Sequence, residues 1–164
     1  MKSKQLILLG PPGVGVESQA IALAKRWYVP YISTGKLLRD EIAKGSELGA
    51  DVQPFVEAGT LAPEAAVMTL MRRRIEQPDT LDGWILTGFP RTLAQAEAFD
   101  ALLIKFERPA AEVAYIKAMT GLLINRLVKQ AGPGSNLNDI RSRLTDYKAQ
   151  TLPLVDYYQQ RDQV

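Results

Sequence analysis

Three glycines within six residues, Gly10, Gly13 and Gly15, separate a short apolar run from a segment with helical periodicity. Glycine lets the backbone turn so that successive N–H groups point toward one centre. When a helix begins directly afterwards, these amides and the helix dipole bind an anion without any side chain. Gly10 and Gly15 also fit the phosphate-loop pattern of glycine, four residues, glycine, lysine and serine or threonine. The sequence therefore predicts a phosphate loop formed by Gly10, Gly13, Gly15 and Ser18.

The predicted loop lacks the cation of that pattern. Val16 occupies the lysine position, where an ammonium group would reach the outer phosphates, and Glu17 adds a charge of the wrong sign. The chain has no His and no Cys, which excludes the usual general base, disulfides and thiolate metal sites. Any chemistry must therefore come from arginine, lysine, carboxylate groups and backbone amides.

Short apolar strands that alternate with amphipathic helices are predicted to position the loop. Strands are expected over 6–9, 28–33, 84–87 and 113–116. Helices are expected directly after the glycines and then over 34–42, 48–56, 63–75, from about 93, over 122–129, and from about 138 past 147. Thr34 is the expected N-cap of the second helix, and Pro153 is expected to end or kink the last one. The alternation predicts an α/β fold of three layers, with helices on both faces of a central parallel sheet.

Glycine and hydroxyl residues end three of the predicted strands. Gly10 follows the first strand, Ser33 and Thr34 end the second, and Thr87 and Gly88 end the third. Ligands of open parallel sheets bind at the carboxyl ends of the strands. We therefore expect the functional site at this edge of the sheet.

Composition limits the remaining possibilities. A chain of 164 residues with 46% hydrophobic residues suits a single domain with a real core. The net charge of +2 gives no reason to expect nucleic acid or a membrane surface as a partner. The apolar run near the N-terminus is too short for a signal sequence or a membrane span, so a cytoplasmic protein is expected.

Seven segments together resemble adenylate kinase and its nucleoside monophosphate kinase relatives. In chain order they are GPPGVGVESQA, YISTGKLLRDEI, GTLAPE, WILTGFPRTLAQAEAF, INRLVK, RSRLTDY and TLPLVDYY. The resemblance runs from Leu6 to Tyr158 and implies the three-layer P-loop fold of that family with a shortened lid. It implies one adenylate kinase-like domain over 1–164, an insert that binds the acceptor nucleotide over 34–63, and a short lid loop over 127–138.

The resemblance also implies a site for AMP, the phosphate acceptor. The residues that match the family's acceptor site are Thr34, Arg39, Thr60, Ala62, Gly88, Arg91 and Gln95. Arg126 and Arg143 match two catalytic arginines of the family. A forked guanidinium suits a phosphate dianion because it offers paired N–H donors at a fixed geometry.

The donor half of the family site, which takes ATP, is altered in this chain. Val16 replaces the family's lysine, Glu17 replaces a glycine, and Thr87 replaces an aspartate that helps to hold magnesium. Gln130 and Gly132 fall where two further arginines are expected. The resemblance therefore implies a divergent member that binds AMP and transfers phosphate weakly or not at all, a pseudoenzyme. Magnesium is expected only together with ATP, with no metal site of the protein's own.

Two alternatives remain open at this point. One is an active kinase that converts ATP and AMP to two ADP, in which Lys36, Lys129 or another chain replaces the missing charge. The other is an interaction module that binds no nucleotide. In that case the fourth strand would present an exposed edge, through which the chain could form an oligomer.

Overall fold

The computed structural model describes residues 4–164, and in this range the chain forms a four-stranded sheet flanked by helices. The strands are β1 (Lys4–Leu9), β2 (Tyr31–Ser33), β3 (Gly83–Thr87) and β4 (Glu112–Tyr115). The helices are α1 (Val16–Trp27), α2 (Thr34–Ala43), α3 (Glu47–Ala58), α4 (Glu64–Ile75), α5 (Leu93–Lys105), α6 (Thr120–Ala131) and α7 (Leu137–Gln159), with a 3-10 turn at Pro78–Thr80. None of the helices described is both long enough and apolar enough to cross a lipid bilayer.

The sheet has the order β2-β3-β1-β4, and its three strand pairs are parallel. Alternate residues of β1 point to opposite faces of the sheet. Ile7 and Leu9 belong to a large core with residues of α4, α5 and α7, whereas Leu6 and Leu8 pack with Ala20 and other residues on the α1 side. Because both faces are covered, β1 is buried along almost its whole length, as is usual in parallel sheets. The predicted α/β fold of three layers is confirmed.

Aromatic side chains fill the centre of the larger core. Trp84, Phe89 and Phe99 are fully buried. Phe99 meets Trp84 and Phe89 in edge-to-face contacts, with ring centroids 5.7 and 5.2 Å apart. Since Phe89 lies just after β3, this cluster fixes the loop that leaves the carboxyl end of that strand.

The start of β2 and the cap of α2 differ from the prediction. The second strand starts at Tyr31 and not at residue 28, because α1 continues to Trp27 and Tyr28 closes it in the left-handed conformation. Ser33, and not Thr34, caps α2, since its side chain accepts a hydrogen bond from the N–H of Lys36. The strand β2 is therefore followed directly by α2, with no loop between them.

The last helix continues through Pro153, where a break or kink was predicted. It runs on to Gln159, and the residues beyond the proline include the buried Leu154, Val155 and Tyr158. Burial of this apolar face against the core outweighs the local cost of the proline, because packing supplies most of the stability of helices in proteins.

The outer edge of β4 is partly covered by the C-terminal residues. The N–H of Val113 donates to the backbone oxygen of Gln163 at 2.6 Å, and the Gln163 side-chain amide donates to the Ala111 oxygen at 2.7 Å. These two hydrogen bonds occupy positions that a neighbouring strand would use. Association of two chains through this edge stays a prediction, which the molar mass in solution tests.

Ser46 joins α2 to α3 through two hydrogen bonds. Its hydroxyl accepts from the N–H of Gly49 at 2.9 Å, which caps α3, and donates to Glu41 Oε2 at 2.7 Å. Hydrogen bonds from Ser46 and then from Lys44 lower the pKa of the Glu41 carboxyl. A lowered carboxyl pKa stabilises the fold above the pKa of the unfolded chain, and this contribution is lost as the pH falls through the folded pKa.

We expect Ser46→Ala to lower the free energy of unfolding by about 1 kcal/mol at neutral pH, since a cap and a carboxylate partner are both lost. The loss should be smaller at acid pH, because the part linked to Glu41 fades as the pH falls from the unfolded value of about 4.3 through the lower pKa of the folded state. Urea titrations at both pH values measure this difference. Ser142→Ala, an exposed serine in the interior of α7, is the control and should change stability by less than about 0.5 kcal/mol at either pH. A loss from Ser46→Ala that is the same at both pH values would contradict the link to Glu41.

Candidate functional site

A cavity of about 500 Å³ lies at the carboxyl ends of β1, β2 and β3. Its walls are the glycine-rich loop after β1, the loop after β3, and part of α7. The cavity is therefore located at the edge of the sheet where the sequence predicted a site, and its volume suits a small organic ligand.

The glycine-rich loop adopts a conformation that requires glycine at two positions. Gly13 and Gly15 have φ values of 86° and 87°, which side chains other than hydrogen rarely permit. Gly15 is also the N-cap of α1 and offers no side chain to the first N–H groups of that helix. These amides are therefore left for another acceptor, as expected for a loop that holds an anion. Gly10, Gly13, Gly15 and Ser18 all line the cavity.

Val16 gives the loop an apolar contact in place of a cation. Its side chain lies over Gly10, so that a Cβ atom at Gly10 would collide with Val16 Cγ2 and Val14 Cγ1. Glu17 lies beside it and is exposed at the mouth of the cavity. The loop thus has the backbone of an anion site and an acidic side chain.

A chain of hydroxyl groups connects Glu17 with the end of β3. The Tyr31 hydroxyl is 3.4 Å from Glu17 Oε1 and 2.9 Å from the Thr87 hydroxyl. Thr34 lies beneath, and its hydroxyl donates to the backbone oxygen of Thr87 at 3.3 Å. The Thr87 hydroxyl is therefore hydrogen-bonded to Tyr31. It lies at the strand-end position where the resemblance led us to expect an aspartate that helps to hold magnesium.

Arg91 provides the positive charge in the lining of the cavity. Its backbone N–H donates to Gln95 Oε1 at 2.8 Å, and its Nε donates to the Gly88 oxygen at 3.3 Å. Gln95 is only 3% exposed, so it holds the Arg91 backbone from below. Gly88 and Arg91 line the cavity, whereas Gln95 does not.

The other predicted acceptor residues lie outside the lining of this cavity. Thr34 and Ala62 are buried. The Arg39 guanidinium folds back against Gly35, and the Thr60 hydroxyl donates to the Phe55 oxygen at 3.4 Å. The structure thus brings Gly88 and Arg91 together with the phosphate loop, while these four residues lie on the neighbouring α2–α4 segment. Their contact with a nucleotide stays a prediction.

The two predicted catalytic arginines are placed differently. Arg126 Nη1 donates to the Gly13 oxygen at 3.3 Å, which sets a guanidinium beside the phosphate loop. The same helix, α6, packs Leu127 against Gly13. Arg143 is exposed on α7 and does not line the cavity. Gln130, one of the positions where the resemblance led us to expect arginine, does line it.

Tyr31 and Tyr147 are cavity residues that the sequence reasoning missed. Tyr147 hydrogen-bonds to Thr151 and to the backbone of Gly10, and burial raises the pKa of its phenol. The sequence carried a signal for Tyr31, because side chains two residues apart on a strand share a face and Ser33 was already placed at the site. Tyr147 had no comparable signal, since its role depends on how α7 crosses the loop.

Fold and site together define a class of protein: a P-loop α/β protein whose glycine-rich loop joins the first strand to a helix and faces a cavity at the strand ends. The family model described as adenylate kinase matches residues 8–163. The chain belongs to the adenylate kinase family.

Three relatives, matched over 84–88% of their own length, support this assignment. Adenylate kinase from Synechococcus sp. (strain RCC307) is 40% identical over 162 residues, which cover 99% of this chain and 88% of the relative. Adenylate kinase from Stenotrophomonas maltophilia (strain K279a) is 40% identical over 158 residues, covering 94% and 84% of the two chains. Adenylate kinase from Corynebacterium urealyticum is 37% identical over 157 residues, with coverage of 96% and 87%.

Proposed function

We propose that this adenylate kinase family member binds AMP at its acceptor site and has an impaired ATP site, so that phosphoryl transfer is weak or lost. The observation that carries the proposal is the distribution of charge in the cavity. Arg91 faces the cavity on the acceptor side, whereas the phosphate loop carries Val16 and Glu17 where the P-loop pattern has a lysine. The lining of the cavity thus combines one guanidinium, suited to an acceptor phosphate, with one carboxylate beside the phosphate loop.

The size of the expected effect supports this assignment. A charge-assisted hydrogen bond contributes roughly 1.5 to 3 kcal/mol. A change of about 1.4 kcal/mol in a barrier is a factor of ten in rate. If the missing lysine and the arginines expected at Gln130 and Gly132 act mainly on the transition state, several powers of ten in rate are lost. Non-additivity reduces this sum but does not replace a missing cation.

Magnesium fits this site poorly except as part of its complex with ATP. At the end of β3 the chain offers the neutral hydroxyl of Thr87, which is already 2.9 Å from the Tyr31 hydroxyl. Magnesium prefers carboxylates, water and substrate phosphates in octahedral geometry. We therefore assign no magnesium site to the protein itself.

Lys36 does not supply the missing charge in the arrangement seen here. Its ammonium group is 2.7 Å from Asp40 Oδ2 in an exposed ion pair on α2. Arg126, beside Gly13, is the cation that lies against the phosphate loop. An active kinase would therefore have to rely on Arg126, on Lys129, which is exposed in the last turn of α6, or on a charge from another chain.

Calorimetric titration with AMP and with ATP, each with and without magnesium, tests the proposal. We expect AMP to bind and ATP to bind at least about tenfold more weakly than AMP, because the contact of a P-loop lysine is absent. A coupled assay for ADP production is run in parallel. Tight binding of magnesium-ATP, with turnover at an ordinary enzyme rate that Arg91→Ala abolishes, would establish the active kinase instead. Absence of heat with both nucleotides would favour the interaction module.

A further inference from the structure

Two residues with formal charge line the cavity in the part of the chain that the structure describes: Glu17 and Arg91. The remaining lining is backbone, hydroxyl, amide and apolar groups. An anionic ligand group that enters the phosphate loop therefore meets two opposing contributions: attraction by the N–H groups and by Arg126 beside Gly13, and repulsion by the Glu17 carboxylate. Whether the loop accepts or rejects a phosphate depends on how these two contributions balance.

A hydrogen bond from Tyr31 restrains the Glu17 carboxylate. The Tyr31 hydroxyl lies 3.4 Å from Glu17 Oε1, which is a long hydrogen bond, and 2.9 Å from the Thr87 hydroxyl. A tyrosine has one hydroxyl proton. If that proton is donated to Glu17, the Tyr31 oxygen accepts from Thr87. In that arrangement the hydroxyl protons of Thr87 and Tyr31 both point toward Glu17, and the Tyr31 hydroxyl restrains the carboxylate by a long hydrogen bond.

The network of hydroxyl groups that leads to Glu17 begins at Thr87, which is buried and held by the sheet. Thr87 is 7% exposed and ends the central strand β3. The backbone oxygen of Thr87 accepts from the hydroxyl of Thr34, which is also buried. Tyr31 is held by the pairing of β2 with β3, in which Tyr31 lies opposite Ile85. The hydroxyl that faces Glu17 therefore has a defined position, set by the sheet and not by a flexible loop.

We propose that Glu17, positioned by Tyr31 and Thr87, determines the specificity of the phosphate loop by charge. It excludes polyphosphate groups, which carry several negative charges, and admits groups with less negative charge, such as a nucleoside or a single phosphate. This inference rests on the proposed function, because it gives the cause of the weak ATP binding proposed there. It attributes that weakness to an active repulsion by Glu17 and not only to the absence of a lysine.

Glu17→Gln is the direct test, because glutamine keeps the size and an acceptor oxygen for Tyr31 but removes the charge. Binding of adenosine, AMP, ADP, ATP and inorganic tripolyphosphate is measured by calorimetry for the wild type and the variant. We expect affinity for ATP and tripolyphosphate to rise about tenfold, a repulsion of ordinary size between charges a few ångströms apart near a protein surface. ADP should gain less, and adenosine and AMP should change by less than about twofold. This gradation with ligand charge separates a charge effect from a structural one, which would shift all ligands alike.

Glu47→Gln is the matched control. Glu47 is an exposed acidic residue in the first turn of α3, as Glu17 is in the first turn of α1, so the change in net charge and in helix-dipole interaction is the same. It lies outside the cavity lining and should leave all five affinities within about twofold of the wild type. Thermal unfolding of each variant verifies that the fold is retained.

Tyr31→Phe tests the positioning role. Removing the hydroxyl frees the Glu17 side chain, so ATP affinity should rise by a smaller factor than in Glu17→Gln. In the Glu17→Gln background, Tyr31→Phe should change ATP affinity by less than about twofold, because the two residues act through one interaction. Equal effects of Tyr31→Phe in both backgrounds would overturn the positioning role.

The outcomes distinguish this inference from the proposed function. If the wild type binds ATP weakly and Glu17→Gln gives no gain, or gives the same gain for AMP, the charge role of Glu17 is wrong while the proposed function stands. If the wild type already binds magnesium-ATP tightly, both are wrong. A gain confined to ADP, ATP and tripolyphosphate supports both.

Discussion

Arg91→Ala is expected to reduce AMP affinity by about tenfold to a hundredfold. Among the described residues that line the cavity, Arg91 is the one with a positive charge, and a lost charge-assisted contact is worth roughly 1.5 to 3 kcal/mol. Its position depends on Gln95 and Gly88, which bond its backbone N–H and its Nε. The remaining guanidinium N–H groups are free to form the forked contact that a phosphate requires. Calorimetric titration with AMP measures the loss.

Two further variants make the Arg91 test specific. Arg26→Ala removes an exposed arginine from the last turn of α1, at the opposite end of that helix from the phosphate loop, and should leave AMP affinity within about twofold. Arg91→Lys keeps the charge without the fork and should recover part of the affinity. Unchanged AMP binding in Arg91→Ala would mean that Arg91 does not bind the AMP phosphate in this cavity. The proposed function would then lose its main support.

Phe99→Ala is expected to lower the free energy of unfolding by about 3 to 5 kcal/mol, the range for truncation of a fully buried aromatic residue. Phe99 is 0% exposed and makes edge-to-face contacts with Trp84 and Phe89. Its removal leaves a cavity at the centre of the larger core and takes a contact from the residue that follows β3 by two positions. A urea titration followed by circular dichroism measures the change.

Ile104→Ala is the matched control for the core. It lies on the same helix, α5, but is 75% exposed, so its truncation should cost less than about 0.5 kcal/mol. A loss below about 1 kcal/mol in Phe99→Ala would mean that the surrounding side chains close the cavity and that the aromatic cluster is not the centre of stability.

Local signals in the sequence were sufficient for the sheet and for the position of the site. The apolar runs at β1 and β3 are continuous because both faces of a parallel sheet are buried, and this is visible without any coordinates. The glycine-rich loop could also be predicted from the sequence, because few residues other than glycine adopt the positive φ angles found at Gly13 and Gly15. The carboxyl ends of the strands then located the cavity.

Features that depend on packing between distant segments were not predictable. The contact of Tyr31 with Glu17 joins residues 14 positions apart, and the contact with Thr87 joins residues 56 apart. The passage of α7 through Pro153 depends on the core against which Tyr158 is buried. Gln163 meets β4 only because the chain turns back after α7. The strand period places Tyr31 on the same face as Ser33, but none of these contacts between distant segments leaves a periodic or compositional trace.

The direct passage from β2 into α2 at Ser33 has a mechanical consequence. Because α2 begins at the residue that follows β2, no loop separates the two elements. A change in the orientation of α2 would therefore also move the end of β2. Tyr31 lies two residues before this junction, with its hydroxyl between Thr87 and Glu17. Within the α2–α3 segment, the glycines with a positive φ are Gly45 at 66°, between the two helices, and Gly59 at 67°, which closes α3, so a change of backbone conformation is easier there than at the β2–α2 junction.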